Sequence, residues 1–186
     1  PDEDRVSDFD DLQITERAME IFHNLTRSEK PWFLAVGYRK PHVQWRAPAR
    51  CFDRIANESV TPPLHRFFPK GAPDVAFHQP INDFLEPFTD VLNCGGKDQM
   101  TPTSAFDDEC QIKWRKAYHA SVSFLDEQIG HMLAALETSG QADSTVVAIF
   151  GDHGWHLGEF GEWEKFTNFE LSARIPLLIR ASTATT

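Results

Sequence analysis

Residues 144 to 166, STVVAIFGDHGWHLGEFGEWEKF, constrain the fold more than any other stretch. Val146, Val147, Ala148, Ile149 and Phe150 form an uncharged run rich in β-branched residues. This pattern predicts a strand buried on both faces, as in a parallel sheet. Gly151 ends the run, and Asp152 and His153 follow at once. Ligands of open α/β sheets bind beyond the carboxyl ends of the strands, where this Asp-His pair stands. Gly154, Gly158 and Gly161 then read as a loop that bends and approaches a ligand closely. Trp155 and Trp163 offer flat amphipathic faces, and Glu159, Glu162 and Lys165 add charge.

A second apolar run, Trp32 to Gly37, predicts another buried strand. It delivers Tyr38-Arg39-Lys40-Pro41-His42 at its carboxyl end. Arg39, Lys40 and His42 suit an anionic group by charge and hydrogen bonding, and equally suit a solvated surface turn. Pro41 biases Lys40 away from helix.

The remaining elements follow from periodicity. Residues 15–28 read as a helix capped by Thr15, with Ala18, Met19, Phe22 and Leu25 on one face. Asp10 and Asp11 just before it read as a solvated approach rather than a metal pair. Residues 106–138 form the longest helix, with acidic Asp107, Asp108 and Glu109 at its positive start and Ser139-Gly140 at its end. His119 and Asp126 on that helix are read as exposed or structurally paired. Ile175 to Ile179 reads as a further strand, with Pro176 near its start where proline is tolerated. The order helix, glycine stop, strand, site loop is one arm of an α/β crossover.

Between residues 46 and 104, eight prolines predict irregular structure, anchored by Phe67, Phe68, Phe77, Phe84 and Phe88. So long an irregular stretch in a compact domain is an insertion or a cleft wall. Cys94 and the residues after it read as a turn. Cys51, Cys94 and Cys110 lack metal-ligand spacing, leaving one disulfide with one free thiol, or none. Asn24 and Asn57 stand in glycosylation tripeptides, and Asn24 falls on the first helix.

The 186 residues are enough for a sizeable core. A formal net charge of −10 without a basic stripe argues against a general nucleic-acid binder. No apolar run reaches the ~18 residues that a membrane helix needs. The first residues, Pro-Asp-Glu-Asp, carry no signal-peptide pattern, and the sequence reads as an internal or processed piece.

Three stretches resemble the sulfatase family of the alkaline-phosphatase superfamily, and within it the iduronate-2-sulfatase branch. They are Phe33 to His42, Ala120 to Asp126, and Gly151-Asp152-His153-Gly154 with the Leu157-Gly158-Glu159 and Gly161-Glu162-Trp163-x-Lys165 elements. They occur in the family's order. The resemblance implies an incomplete α/β, alkaline-phosphatase-like sandwich with a mostly parallel central sheet, as one partial catalytic domain over residues 1–186. It implies hydrolysis of sulfate esters on a sulfated glycan such as iduronate 2-sulfate. Asp152 and His153 would be calcium ligands. His42 and Lys165 would contact the sulfate or protonate the leaving oxygen. Lys40 and Trp155 would be on the substrate side, Trp155 facing the sugar. The resemblance also implies the secretory route, lysosomal or extracellular.

The departures are specific. The family's nucleophile is a cysteine, converted to formylglycine, in a Cys-x-Pro/Ala-x-Arg context. Cys51, Cys94 and Cys110 read CFDRI, CGGKD and CQIKW. The family's Asp-Asp metal pair follows a first buried strand, and Asp10-Asp11 does not. Both features are expected in a preceding part of a longer protein, and this chain alone is expected to be inactive. Arg39 stands where the branch usually has histidine, and Phe160 replaces a polar residue. Two other readings stay open: a phosphodiesterase or phosphonate hydrolase of the same superfamily, and a catalytically incompetent remnant that binds anionic glycan.

Overall fold

The computed structural model describes residues 9–56, 59–78, 94 and 101–181. Two compact units divide the chain: Pro1–Ala56, Lys116–Ala148 and Ile179–Thr186 make the first, Asn57–Arg115 and Ile149–Leu178 the second. Expected features on Asn57, Phe84, Phe88 and residues 95–97 lie outside the described residues.

In the first unit, helix α1 spans Asp10–Leu25. Asp11, Thr15, Ala18 and Phe22 are its buried residues, a single stripe at helical spacing. It starts earlier than its sequence predicts. Phe9 takes the cap position, and Thr15 lies inside the helix with its hydroxyl donating to the Asp11 carbonyl at 2.8 Å. The reason is tertiary. Phe9 anchors in the core, 5.1 Å from the Phe124 ring, so the chain turns into helix as soon as that anchor is set. Phe22 packs edge-on against Trp32 at 5.6 Å.

Residues 31–39 form no regular strand among the described residues. Their burial alternates strictly, and Phe33 on the outer face is 88% exposed. The alternation is that of a strand lacking a neighbour, so the expected buried strand is not realised here. A short helix α2, Ala49–Asp53, carries the buried Cys51. Helix α3, Asp108–Thr138, has 31 residues, about 46 Å of rise. Its Ala120 and Phe124 join Phe9 and Cys51 in the core of the first unit, with Leu12, Ala47, Phe52 and Ile55 packed around them. Glu127 on α3 receives both Arg50 and Arg54 from around α2.

Strands β1, Val147–Phe150, and β2, Leu177–Arg180, pair as a two-stranded sheet, and the division between the units runs through both. β1 alternates between half-buried and exposed, and β2 is exposed throughout. The expectation of a strand buried on both faces is thus corrected. Among the described residues no further strand pairs with these two.

In the second unit, Phe106, Trp114 and Trp163 stack edge-on into one aromatic core, with Trp114 and Trp163 4.9 Å apart. A second group joins Phe68 to Phe77 and Phe169. Cys94 and Cys110 form a disulfide, and Cys51 is a buried free thiol. Helix α4 spans Glu170–Ala173. No helix among the described residues is long and apolar enough to cross a membrane.

Candidate functional site

The loop after β1 belongs to the second unit and folds back on itself. His156 N–H donates to the Glu164 carbonyl at 3.0 Å, and Gly158 N–H to the Glu162 carbonyl at 2.9 Å. The turn between them needs a positive φ at Gly158, 95°, where a side chain would also strike Trp163 and Gln111. Glu159 closes the turn. Its carboxylate accepts the Leu157 N–H at 2.6 Å and an Arg115 N–H at 2.8 Å, while Arg115 also donates to the Leu157 carbonyl.

Gly154 is required by packing rather than by a ligand. A Cβ there would lie 2.0 Å from the Leu171 carbonyl oxygen and 2.8 Å from that of Arg174. Its N–H donates to the Ser172 carbonyl at 2.7 Å. Trp163, read from the sequence as an amphipathic face, is instead part of the aromatic core.

His153 is the hinge of the loop's polar group. Its Nδ1 lies 2.8 Å from the Gly154 carbonyl oxygen. A carbonyl only accepts, so Nδ1 carries the proton and Nε2 keeps its lone pair. Lys165 Nζ lies 2.7 Å from that Nε2 and donates to it. Asp152 Oδ2 is 3.5 Å from the same nitrogen, on a side chain 88% exposed, and Asp152 Oδ1 accepts the His153 N–H. The Trp155 ring lies 6.4 Å from the His153 ring. Asp152, His153, Trp155 and Lys165 are thus gathered in one place.

The donor set can be tested against calcium. A carboxylate oxygen and an imidazole lone pair lie side by side, which suits part of a cation shell. Calcium takes about six to eight ligands, mostly oxygen. No group of three or more His, Cys, Asp or Glu that could hold a metal occurs among the described residues. The pair fits as a partial shell and no more.

His156, not marked by sequence reasoning, is fully buried and fully bonded. Its Nδ1 donates to the Glu159 carbonyl at 3.2 Å, and its Nε2 accepts from the Thr167 hydroxyl at 3.0 Å. Burial pushes its pKa down, keeping it neutral as a structural strut. Glu162 and Glu164 are also buried. Burial pushes the Glu162 carboxyl up to about 7, with the Glu164 charge adding to the rise and the His78 N–H opposing it. Glu164 is raised by burial too, opposed by His78, whose Nε2 is 3.1 Å away.

Lys40 and His42 belong to the first unit. Their loop is held from α1: Asp11, 1% exposed, accepts the Arg39 N–H at 2.7 Å and the Lys40 N–H at 3.0 Å. The reading of Asp11 as solvated is therefore wrong. Asp10 pairs with the Arg39 guanidinium at 2.8 Å. Lys40 follows through a cis peptide to Pro41, and its ammonium donates to the Gln44 carbonyl. Burial lowers the Lys40 pKa, against the charge of Asp11. His42 Nδ1 donates to the Val43 carbonyl at 2.7 Å, leaving Nε2 with a lone pair when the ring is neutral. The signal for Asp11 was faint: an acidic residue in phase with the buried stripe of α1.

Comparison with known proteins now bears on this loop. The sulfatase family model matches residues 4–186. The chain belongs to the sulfatase family. Mouse (Mus musculus) iduronate 2-sulfatase is 37% identical over 169 residues, covering 91% of this sulfatase chain and 30% of the relative. The chain therefore spans about a third of the length of such curated relatives. The phosphonate monoester hydrolase SpPMH from Silicibacter pomeroyi has a TM-score of 0.69 at 26% identity, over 96% of this chain and 34% of that one. A structure solved with its substrate D-glucosamine-2-N,6-O-disulfate has a TM-score of 0.67 at 22% identity, over 94% of this chain and 43% of that one. The sulfatase fold here is the alkaline-phosphatase-like α/β class, present in part. Sulfatases are generally metal-dependent.

Proposed function

We propose that this chain is part of a sulfatase catalytic domain that hydrolyses sulfate esters on a sulfated glycan, iduronate 2-sulfate foremost. One observation carries the reading: Lys165 Nζ at 2.7 Å and Asp152 Oδ2 at 3.5 Å both approach the His153 Nε2. Asp152 and His153 would hold calcium, which supplies positive charge to the sulfate oxygens when bound. Lys165 supplies a mobile ammonium that exchanges its bond to His153 for a sulfate oxygen. His42, when it carries a proton on Nε2, would give that proton to the leaving oxygen. Lys40 adds positive charge on the substrate side and stiffens the loop that carries His42. Trp155 presents its ring to the sugar. The 37% identity to iduronate 2-sulfatase supports the substrate, and the glucosamine disulfate complex of the structural relative supports the sulfated-glycan class.

The Cys94–Cys110 disulfide supports an oxidising compartment, in keeping with a secretory, lysosomal or extracellular protein. None of the three cysteines supplies the family's nucleophile context, so the isolated chain is expected to be inactive and to bind calcium weakly.

The test is sulfate release by the full-length, matured protein from an iduronate 2-sulfate glycoside, an aryl sulfate and an aryl phosphonate monoester. Preference for the iduronate sulfate establishes the reading. Preference for the phosphonate transfers the chain to the hydrolase chemistry of its structural relative. Glycan binding without turnover of any substrate establishes the remnant reading.

A further inference from the structure

Residues 162–166 alternate. Glu162, Glu164 and Phe166 all meet His78, while Trp163 and Lys165 engage other partners. The Glu162 carboxylate accepts the backbone N–H of His78 at 2.8 Å. The Glu164 carboxylate lies 3.1 Å from His78 Nε2. The Phe166 ring lies 5.2 Å from the imidazole at an angle of 49°. The odd residues serve different neighbours: Trp163 packs on Trp114 and Phe106, and Lys165 Nζ reaches His153 Nε2 at 2.7 Å. Glu162 is extended, with φ −92° and ψ 144°, and the chain bends at Glu164 and Lys165.

This arrangement has a consequence for Lys165. Backbone pairing with residues 156 and 158 fixes the segment as far as Glu164. Lys165 lies one residue beyond. Its neighbours on both sides, Glu164 and Phe166, are fixed by a single side chain. The chain bends at Glu164 and Lys165, so where the Lys165 side chain points depends on how its two neighbours are held. With Glu164 and Phe166 released from His78, Lys165 is free to swing away from His153. Burial deepens the dependence. Glu162 and Glu164 are 0% and 3% exposed, so water offers them little replacement for His78.

We propose that His78 is a positioning residue that holds Glu164 and Phe166 on either side of Lys165 and thereby aims Lys165 at His153. His78 comes from the proline-rich stretch rather than from the site loop, which gives that stretch a role in assembling the site. The role for catalysis rests on the reading of Lys165 as a sulfate-contacting group; the geometry of Lys165 does not.

The experiment measures the labelling rate of Lys165 by an amine-reactive reagent, by mass spectrometry on the native full-length protein, with exposed Lys30 as internal reference. His78→Phe keeps a ring for Phe166 and removes the polar ring nitrogen facing Glu164. His78→Gln keeps a donor, and Glu164→Gln removes the charge while retaining the shape. The expected result is a rise of about fivefold in Lys165 labelling for His78→Phe, the scale of one lost polar contact, with Lys30 unchanged. His78→Gln restores most of the protection. Unchanged Lys165 labelling in both folded His78→Phe and folded Glu164→Gln overturns the proposal. Loss of helical circular dichroism in both does so too, because His78 would then be a general structural residue. A protein that releases no sulfate yet shows the labelling pattern keeps the positioning role and loses the sulfatase reading. Sulfate release without the pattern does the reverse.

Discussion

The loop at residues 151–166 and the loop at residues 38–45 pose the same problem and solve it in opposite ways. Each follows an apolar run and presents a lysine and a histidine. The first is held by itself and its own unit: a back-folded turn, the Glu159–Arg115 brace, and two buried glutamates against His78. The second is held by one carboxylate on a helix. Asp11 grips two successive backbone N–H groups and leaves the side chains of Arg39, Lys40 and His42 to other bonds. The difference teaches where rigidity resides. Side-chain anchoring ties the loop's charge state to its shape, whereas backbone anchoring leaves the presented side chains replaceable.

The largest expected effect breaks the self-held loop. Gly154→Ala puts a methyl 2.0 Å from the Leu171 carbonyl oxygen, an overlap with backbone that no rotamer relieves. The cost is expected to exceed about 4 kcal/mol, in the range reserved for severe defects. A thermal melt that leaves Tm in place would show that the loop is not packed as described.

Next comes the helix-held loop. Asp11→Ala orphans the Arg39 and Lys40 N–H groups, each bonded to a charged acceptor. The expected loss is about 3 kcal/mol, seen in denaturant unfolding. Hydrogen exchange should quicken at Arg39 and Lys40 and stay constant over residues 151–166. Equal quickening in both loops would erase the contrast between them.

A pH series sharpens the comparison. Glu162 has a folded pKa of about 7, above the ordinary carboxylate value of 4.5. Between these values the unfolded chain has released its proton and the folded chain still holds it. Stability contributed by protonated Glu162 is therefore complete below pH 4.5, declines as pH rises, and is lost above about 7. The decline attributable to this group is up to about 3 kcal/mol. Glu162→Gln should flatten the slope in that window. A slope that survives unchanged assigns the titration to Glu164 or elsewhere.

The smallest effect is a control outside both loops. Arg17 and Glu20 pair on the exposed face of α1 at 2.6 Å. Arg17→Ala should cost about 0.5 kcal/mol or less. A larger loss would mean that α1 contributes more to holding Asp11 than its buried stripe accounts for.

Periodicity and local chemistry made much of this legible in the sequence. The long helix shows at 106–138 in the sequence and at Asp108–Thr138 in the structure, because Trp114, Phe124 and their neighbours keep helical phase over eight turns or so. The place of Asp152 and His153 just beyond a strand was legible because an apolar run ends where they begin. What stayed hidden depended on distant partners. His78 precedes Glu162 by 84 residues, and no local pattern joins them. Asp11 looked solvated because its partners are backbone groups, which a sequence never displays. Thr15 carried the chemistry of a cap, yet Phe9 outweighed it by burying an aromatic ring. Irregular structure over residues 60–73 was legible too, but neither the short helix Ala49–Asp53 nor the anchoring role of His78 was.

The bare faces of β1 and β2 have a bearing on handling. Phe150, Leu177, Leu178 and Ile179 are each more than half exposed, at 68%, 63%, 58% and 65%. Such a surface is adhesive, and an unpaired strand edge is a template for a second molecule. The net charge of −10 sets up a long-range repulsion against it that salt weakens. A preparation of this chain by itself should therefore stay clear in dilute, low-salt buffer and turn cloudy as either protein or salt is added.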